Sequence, residues 1–358
     1  MKDSTGYHVS ISVLIAVYNV ESYIEECFNS LLAQSLKGLE FILINDFSTD
    51  KSGDICDKYA TADNRFKVVH NSSNLGQGAS LNLAINIAIG DYLSFIDPDD
   101  WVDSDFYDKL YSAALKNDTD IVKAGLATIN KDGILSRSSL LVYKINDGLR
   151  KELPLNVLFT QEYTTAIYRR SVIVKNLIEF PHIRNALDII FLLKTTYYAK
   201  SFVGISNTYY NYRLHNQSKS RTYTISYFES TIKCFQLHVD FINSHTMDKK
   251  SYDFLFYRGL IGVVKRIPLF SNNHQLLEYR DKYIQKALNL MKNYKYDPKI
   301  LLHNLQRGIY KESQLSYITN SLVFRVFKLN LEILMKIRNV FHQIRYTSKR
   351  NTKIGKAA

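Results

Sequence analysis

Residues 74–102 read NLGQGASLNLAINIAIGDYLSFIDPDDWV. Two glycines open the stretch. Leu81, Ala84, Ile85 and Ala88 then share one helical face. Gly90 ends that pattern, and Tyr92–Ile96 follows as a short apolar strand. The strand runs directly into Asp97, Asp99 and Asp100, three carboxylates within four positions. A helix that feeds a buried strand, which ends in a polar loop, is the repeating unit of a parallel α/β sheet.

The same grammar extends upstream. Val9–Val17 is a β-branched apolar run that ends at Tyr18-Asn19. Glu21–Gln34 has helical spacing through Tyr23, Ile24, Cys27, Phe28, Leu31 and Leu32. Leu39–Ile44 is a second strand, ending at Asn45-Asp46. Ser48 or Asp50 is expected to cap a helix carrying Ile55, Cys56 and Tyr59. Phe66–Val69 is a third strand, and Asp105–Leu115 a further helix. The expected fold is therefore α/β, a mostly parallel sheet with helices on both faces. Such sheets bind ligands at the carboxyl ends of their strands. Tyr18-Asn19, Asn45-Asp46 and Asp97–Asp100 lie at three such ends and should meet along one rim.

Beyond residue 125 the pattern loosens. Turn signals in 130–148 predict a hairpin. Residues 164–175 read as a strand running into basic residues, and Ala186–Ala199 as a helix entered through Pro181. Phe202–Ile205 and Thr208–Arg213 read as two short strands. Long helical patterns follow from about Ser226. The expected domains are 1–220, with halves 8–125 and 126–220, and a helical region 221–358. The boundary falls in 218–225. In the tail, Val323–Arg350 mixes large apolar residues with seven Lys and Arg and one acidic residue, Glu332. This suits a basic amphipathic helix on an anionic membrane face, or one packed on the protein with its basic side solvated.

At 358 residues and 46% hydrophobic content the chain can bury a large core. A net charge of +12 favours anionic partners without choosing among them. Three widely spaced cysteines form no Cys-x-x-Cys pair, which argues against a zinc knuckle or disulfide framework and for a reducing compartment. No apolar signal core and no run of about 18 apolar residues is present, so a cytoplasmic location is expected.

Asp97-Pro98-Asp99 offers two carboxylates beside a rigid backbone. Mg²⁺ and Mn²⁺ take oxygen ligands of this kind together with phosphate oxygens. The other reading is a solvated acidic turn. Asp46 either accepts from a base edge or a ribose hydroxyl, or closes an Asx turn. Tyr18 either stacks on a planar base or packs at a strand end. Gly76 and Gly78 form neither a Walker nor a Rossmann motif.

Taken in order, IAVYNVESYIEECFNSLLAQS, LEFILINDFSTDKSGDICDKYA and NLGQGASLNLAINIAIGDYLSFIDPDDWV resemble the family 2 glycosyltransferases with the GT-A fold. The resemblance is strong over residues 10–125 and extends weakly to about 220. It implies a nucleotide-diphosphate-sugar donor, usually UDP-linked, a divalent metal (Mn²⁺ or Mg²⁺), and inversion at the anomeric carbon. By the same resemblance Ala16, Val17 and Tyr18 line the uracil site and Asp46 bonds the base. Asp99 is the metal ligand, and Asp97 serves metal or ribose. Asp100 supports the site or caps the next helix. FPHIRNALDIIFLL matches the segment of the catalytic base, which makes Asp188 that base. In YYNYRLHNQS, Arg213 meets the diphosphate and His215 approaches the metal. Departures are Ala16 for proline, Asn45 and Phe47 for the aspartate and glycine around Asp46, Leu81 for an arginine, and Leu187 for a glutamate.

The expected acceptor is a growing glycan, lipid-linked and destined for capsule or exopolysaccharide, with the basic tail as a peripheral membrane contact. Two rival classes are a GT-A subunit that has lost turnover and a basic nucleic-acid-binding protein. No nucleic-acid recognition motif supports the latter, and no nucleic-acid partner is expected.

Overall fold

The computed structural model describes residues 8–138, 144–146, 163–215, 224–246, 263 and 274–292. In chain order the elements are β1 (Ile11–Val17), α1 (Ile24–Leu32), β2 (Leu39–Asn45), α2 (Ser52–Ala62), β3 (Phe66–His70), α3 (Gln77–Ile87), β4 (Tyr92–Phe95), β5 (Trp101–Val102) and α4 (Phe106–Asn117). They continue with β6 (Ile121–Asn130), β7 (Gly133–Ser138), β8 (Lys144–Asn146), β9 (Ala166–Arg169), α5 (Arg170–Lys175), α6 (Leu187–Tyr198), β10 (Ser201–Arg213), α7 (Ile225–Ser244) and α8 (His274–Lys292).

One sheet runs β3-β2-β1-β4-β9-β6-β10-β5, with β7 on β6 and β8 on β10. The first four strands are mutually parallel. β9 then enters antiparallel to both β4 and β6. Beyond it β6 and β10 pair in parallel again, so along this path the sheet is mostly parallel, with β9 and β5 running against it. Alternation along the strands explains why helices cover both faces. Ile11, Val13, Ile15 and Val17 of β1 pack in one core with Phe28 of α1, Cys56 of α2 and Leu110 of α4. Leu14 of β1 and Ile42 and Ile44 of β2 point the other way, packing with Leu81 of α3 and Phe191 of α6.

Three expectations change in detail. Ser48 does not cap α2, whose N-cap is Lys51 with no side-chain cap, whereas Asp50, one residue earlier, accepts from the Ser52 N–H at the helix start at 2.9 Å. The Ser48 hydroxyl accepts from the Asn19 N–H at 3.2 Å, and Asp50 accepts from the Glu21 N–H at 3.0 Å. Those oxygens join the loop after β2 to the loop after β1. The two short strands at 202–213 are one strand, β10, with a register irregularity between Gly204 and Tyr209. Asn207 absorbs it at φ 64°. The hairpin is β6–β7, closed through Asn130–Gly133.

The chain divides into two compact units, 1–238 and 239–358. Most of the expected boundary stretch 218–225, and all of the basic tail 323–350, lie outside the described residues. No helix among the described residues is long and apolar enough to cross a membrane.

Candidate active site

Because β1, β2 and β4 are parallel neighbours, their carboxyl ends share one rim. At the β1 end, Tyr18 is 36% exposed, whereas Val17 is fully buried in the core and Ala16 partly so. Val17 thus offers the rim its backbone: its carbonyl accepts from the Asp46 N–H at 2.8 Å.

Asp46 is 2% exposed and organises the loop before α3. One carboxylate oxygen accepts from Asn71 Nδ2 and the Leu75 N–H, and the other from the Gly76 N–H, each at 2.8 Å. Gly76 sits at φ 87°, a conformation that favours glycine. Gly78 has a different reason: a Cβ there would lie 2.9 Å from the Pro181 carbonyl oxygen. The two glycines seen in the sequence therefore serve a turn and a close approach. The departure at Asn45 also has a local partner. Its Nδ2 donates to His70 Nδ1 at 2.9 Å, which leaves His70 Nε2–H to donate to Asp57 at 3.0 Å.

Two strands away, the three aspartates separate by environment. One oxygen of Asp97 accepts from Gln77 Nε2 at 2.9 Å and from the Tyr163 hydroxyl at 3.1 Å. Asp100 is 1% exposed. It accepts from the Tyr210 hydroxyl at 2.7 Å and the Arg213 N–H at 2.8 Å. Burial, and then the charges of Asp99 and Asp97, push its carboxyl well above the usual carboxylate range. Asp100 therefore supports β10 from inside and does not cap α4, whose N-cap is Asp105.

Asp99 faces outward to a different set of groups. Its carboxylate lies 2.9 Å from His215 Nε2. His215 is itself 4.7 Å, ring to ring, from Tyr23, and among the described residues its buried Nδ1 has no hydrogen-bond partner. Arg213 Nε donates to the Asp99 carbonyl at 2.8 Å, and its outer nitrogen pairs with Glu26. The guanidinium lies over Trp101 at 4.5 Å and Tyr23 at 5.3 Å. A cation is thus held beside the acidic loop by two aromatic faces and an ion pair.

Asp188 lies in the first turn of α6, after Ala186 at φ 61°. Its charge, second to burial, raises the pKa of Tyr168. The Tyr168 hydroxyl donates to the Tyr163 carbonyl at 2.8 Å, and Tyr163 holds Asp97. Asp188 thus lies near the buried Tyr168, and Tyr168 and Tyr163 lead on to the acidic loop. Leu187 beside it is buried in the second core.

Sequence reasoning missed Gln77, Tyr163, Tyr210, Glu26 and Trp101. Trp101 was visible as the chain's single tryptophan, next to the aspartates. Tyr163 is 66 residues from Asp97 and carried no local signal. Among the described residues no three His, Cys, Asp or Glu side chains form a ready metal cage. Asp99 and His215 nonetheless bring an oxygen and a nitrogen donor side by side, a donor set that suits Mn²⁺ with phosphate oxygens completing the shell.

The model of glycosyl transferase family 2 matches residues 12–177. The chain is 32% identical over 243 residues to the putative glycosyltransferase EpsH of Bacillus subtilis (strain 168), covering 66% of this chain and 70% of EpsH. It is 32% identical over 210 residues to a poly(ribitol-phosphate) beta-glucosyltransferase of Bacillus spizizenii, covering 58% of this chain but 32% of that protein. In fold it matches S. aureus TarS 1–349, solved in complex with UDP-GlcNAc, with a TM-score of 0.67 at 21% identity. That match covers 84% of this chain and 89% of TarS 1–349. On the extent of the match to EpsH, the chain, with its GT-A fold, belongs to glycosyltransferase family 2.

Proposed function

We propose that the chain is an inverting glycosyltransferase. In this reading it moves a sugar from a UDP-linked donor to a hydroxyl of a growing surface glycan. The observation that carries the proposal is the shared rim. The loop ordered by Asp46 lies at one end of it, and Asp97, Asp99, His215 and Arg213 at the other.

The residues divide the work. Tyr18 holds the base end of the donor, and Asp46, buried with both oxygens engaged, acts there through the loop it orders. Asp97 orients the ribose or shares in holding a cation. Asp99 and His215 would hold Mn²⁺ or Mg²⁺, which when bound supplies charge neutralisation for a diphosphate leaving group. Arg213 adds a fixed positive charge beside it. Asp188 accepts the proton of the acceptor hydroxyl while that oxygen bonds to the anomeric carbon. The bond from that carbon to the phosphate oxygen breaks, and its electron pair leaves with the nucleoside diphosphate. One in-line displacement inverts the configuration.

The named activity of the poly(ribitol-phosphate) relative supports a polyol or glycan hydroxyl as acceptor. A lipid-linked acceptor at the inner membrane face is the form that the basic tail favours. Asp99→Ala and Asp188→Asn should each abolish transfer while leaving thermal unfolding unchanged. Full activity in either variant refutes the assignment. A second reading, a subunit without turnover, draws on the commitment of Asn45 to His70 and on the apolar Leu187. Metal-dependent donor consumption by the wild type excludes it.

A further inference from the structure

Phe47 combines two features that the fold alone does not reward. Its backbone is left-handed, at φ 61°, and its side chain is 52% exposed. A bulky residue pays for that conformation, whereas glycine adopts it freely. An exposed ring recovers little of the cost through burial. Strain retained by a ring left half-exposed points to a role outside the fold.

The position of Phe47 says what that role is. It follows Asp46 directly. Its loop is joined to the Tyr18 loop, because Asn19 Oδ1 accepts from the Thr49 N–H at 2.8 Å and the Ser48 hydroxyl accepts from the Asn19 N–H. β2 lies two strands from β4 in the sheet. At ~4.8 Å per strand the end of β2 is about 10 Å from the acidic loop. Ribose and diphosphate span such a gap, so a nucleotide with its phosphates at Asp99 presents its base at the end of β2. We propose that the Phe47 ring is a stacking face for the donor's nucleobase, opposite or beside Tyr18. This rests on the nucleotide-sugar reading above and adds a base-stacking residue to it.

The test measures calorimetric binding of UDP, GDP and inorganic pyrophosphate with Mn²⁺ to the full chain, together with melting curves. It uses wild type, Phe47→Ala and Phe47→Gly. Both variants should bind UDP and GDP about ten-fold more weakly and pyrophosphate as wild type does. The glycine variant should melt about 2 °C above the alanine variant, since only glycine relieves the backbone. Unchanged nucleotide affinity in both variants overturns the proposal, as does equal weakening of pyrophosphate. A wild type that binds pyrophosphate but neither nucleotide defeats this inference and the nucleotide-sugar reading together. Nucleotide binding by wild type that survives in both variants defeats this inference alone.

Discussion

Removing the Tyr163 hydroxyl isolates one prop of the acidic loop without emptying the core. In Tyr163→Phe the ring remains, 5.5 Å from Phe95 and 5.4 Å from Phe180, centroid to centroid. The change deletes the 3.1 Å hydrogen bond to Asp97. A hydrogen bond to a charged group contributes about 1.5–3 kcal/mol. Gln77 Nε2 still donates to the same oxygen at 2.9 Å, and also lies 3.3 Å from the Tyr163 hydroxyl. The lower end therefore applies, about 1.5 kcal/mol, or roughly ten-fold in the donor or metal requirement. The assay is nucleotide-sugar consumption as a function of Mn²⁺ and donor concentration, with Gln77→Leu and the double variant completing a cycle. The two single losses should not add, with a coupling of about 1 kcal/mol, because both groups hold one oxygen. Strict additivity, or an unchanged metal and donor requirement in Tyr163→Phe, would refute the positioning argument.

Other expectations follow from the same contacts. Asp46→Ala strips the loop of three hydrogen bonds to a buried carboxylate, so unfolding free energy should fall by about 3 kcal/mol or more in denaturant titrations. Arg213→Lys keeps the charge but loses the planar face between Trp101 and Tyr23. Turnover should drop about ten-fold, and wild-type turnover would contradict the account. Asp100 carries a raised pKa when folded, so its stabilising contribution is full below the ordinary carboxylate pKa and is lost as pH rises through the raised value. Asp100→Asn cannot titrate. In chelator, the melting temperature of wild type minus that of the variant should therefore grow from about pH 8 to about pH 5; a shrinking difference counts against it.

The front half of the fold was readable because each strand there is a short, mainly apolar run ending in polar residues. Helices with one apolar face join those strands. The rim followed from that alternation, since parallel neighbours must end on the same side. The insertion of β9 between β4 and β6 was not readable. Ala166–Arg169 looks the same in sequence whichever strand it pairs with, and antiparallel pairing is set by distant neighbours. The division of labour among the aspartates was only half visible. Spacing singles out Asp97 and Asp99, but the burial of Asp100 depends on Tyr210, 110 residues away. The departure at Phe47 was legible as a residue change, and its meaning came only with the backbone angle.

The central claim is metal-dependent, inverting transfer from a nucleotide sugar. It is tested most directly by incubating the wild-type chain with Mn²⁺, an acceptor polyol or glycan and a panel of nucleotide sugars, and following the anomeric proton by NMR. The account predicts that one donor is consumed, that the product carries the opposite anomeric configuration, and that chelation stops the reaction. Retention of configuration, or no consumption of any donor, would contradict it.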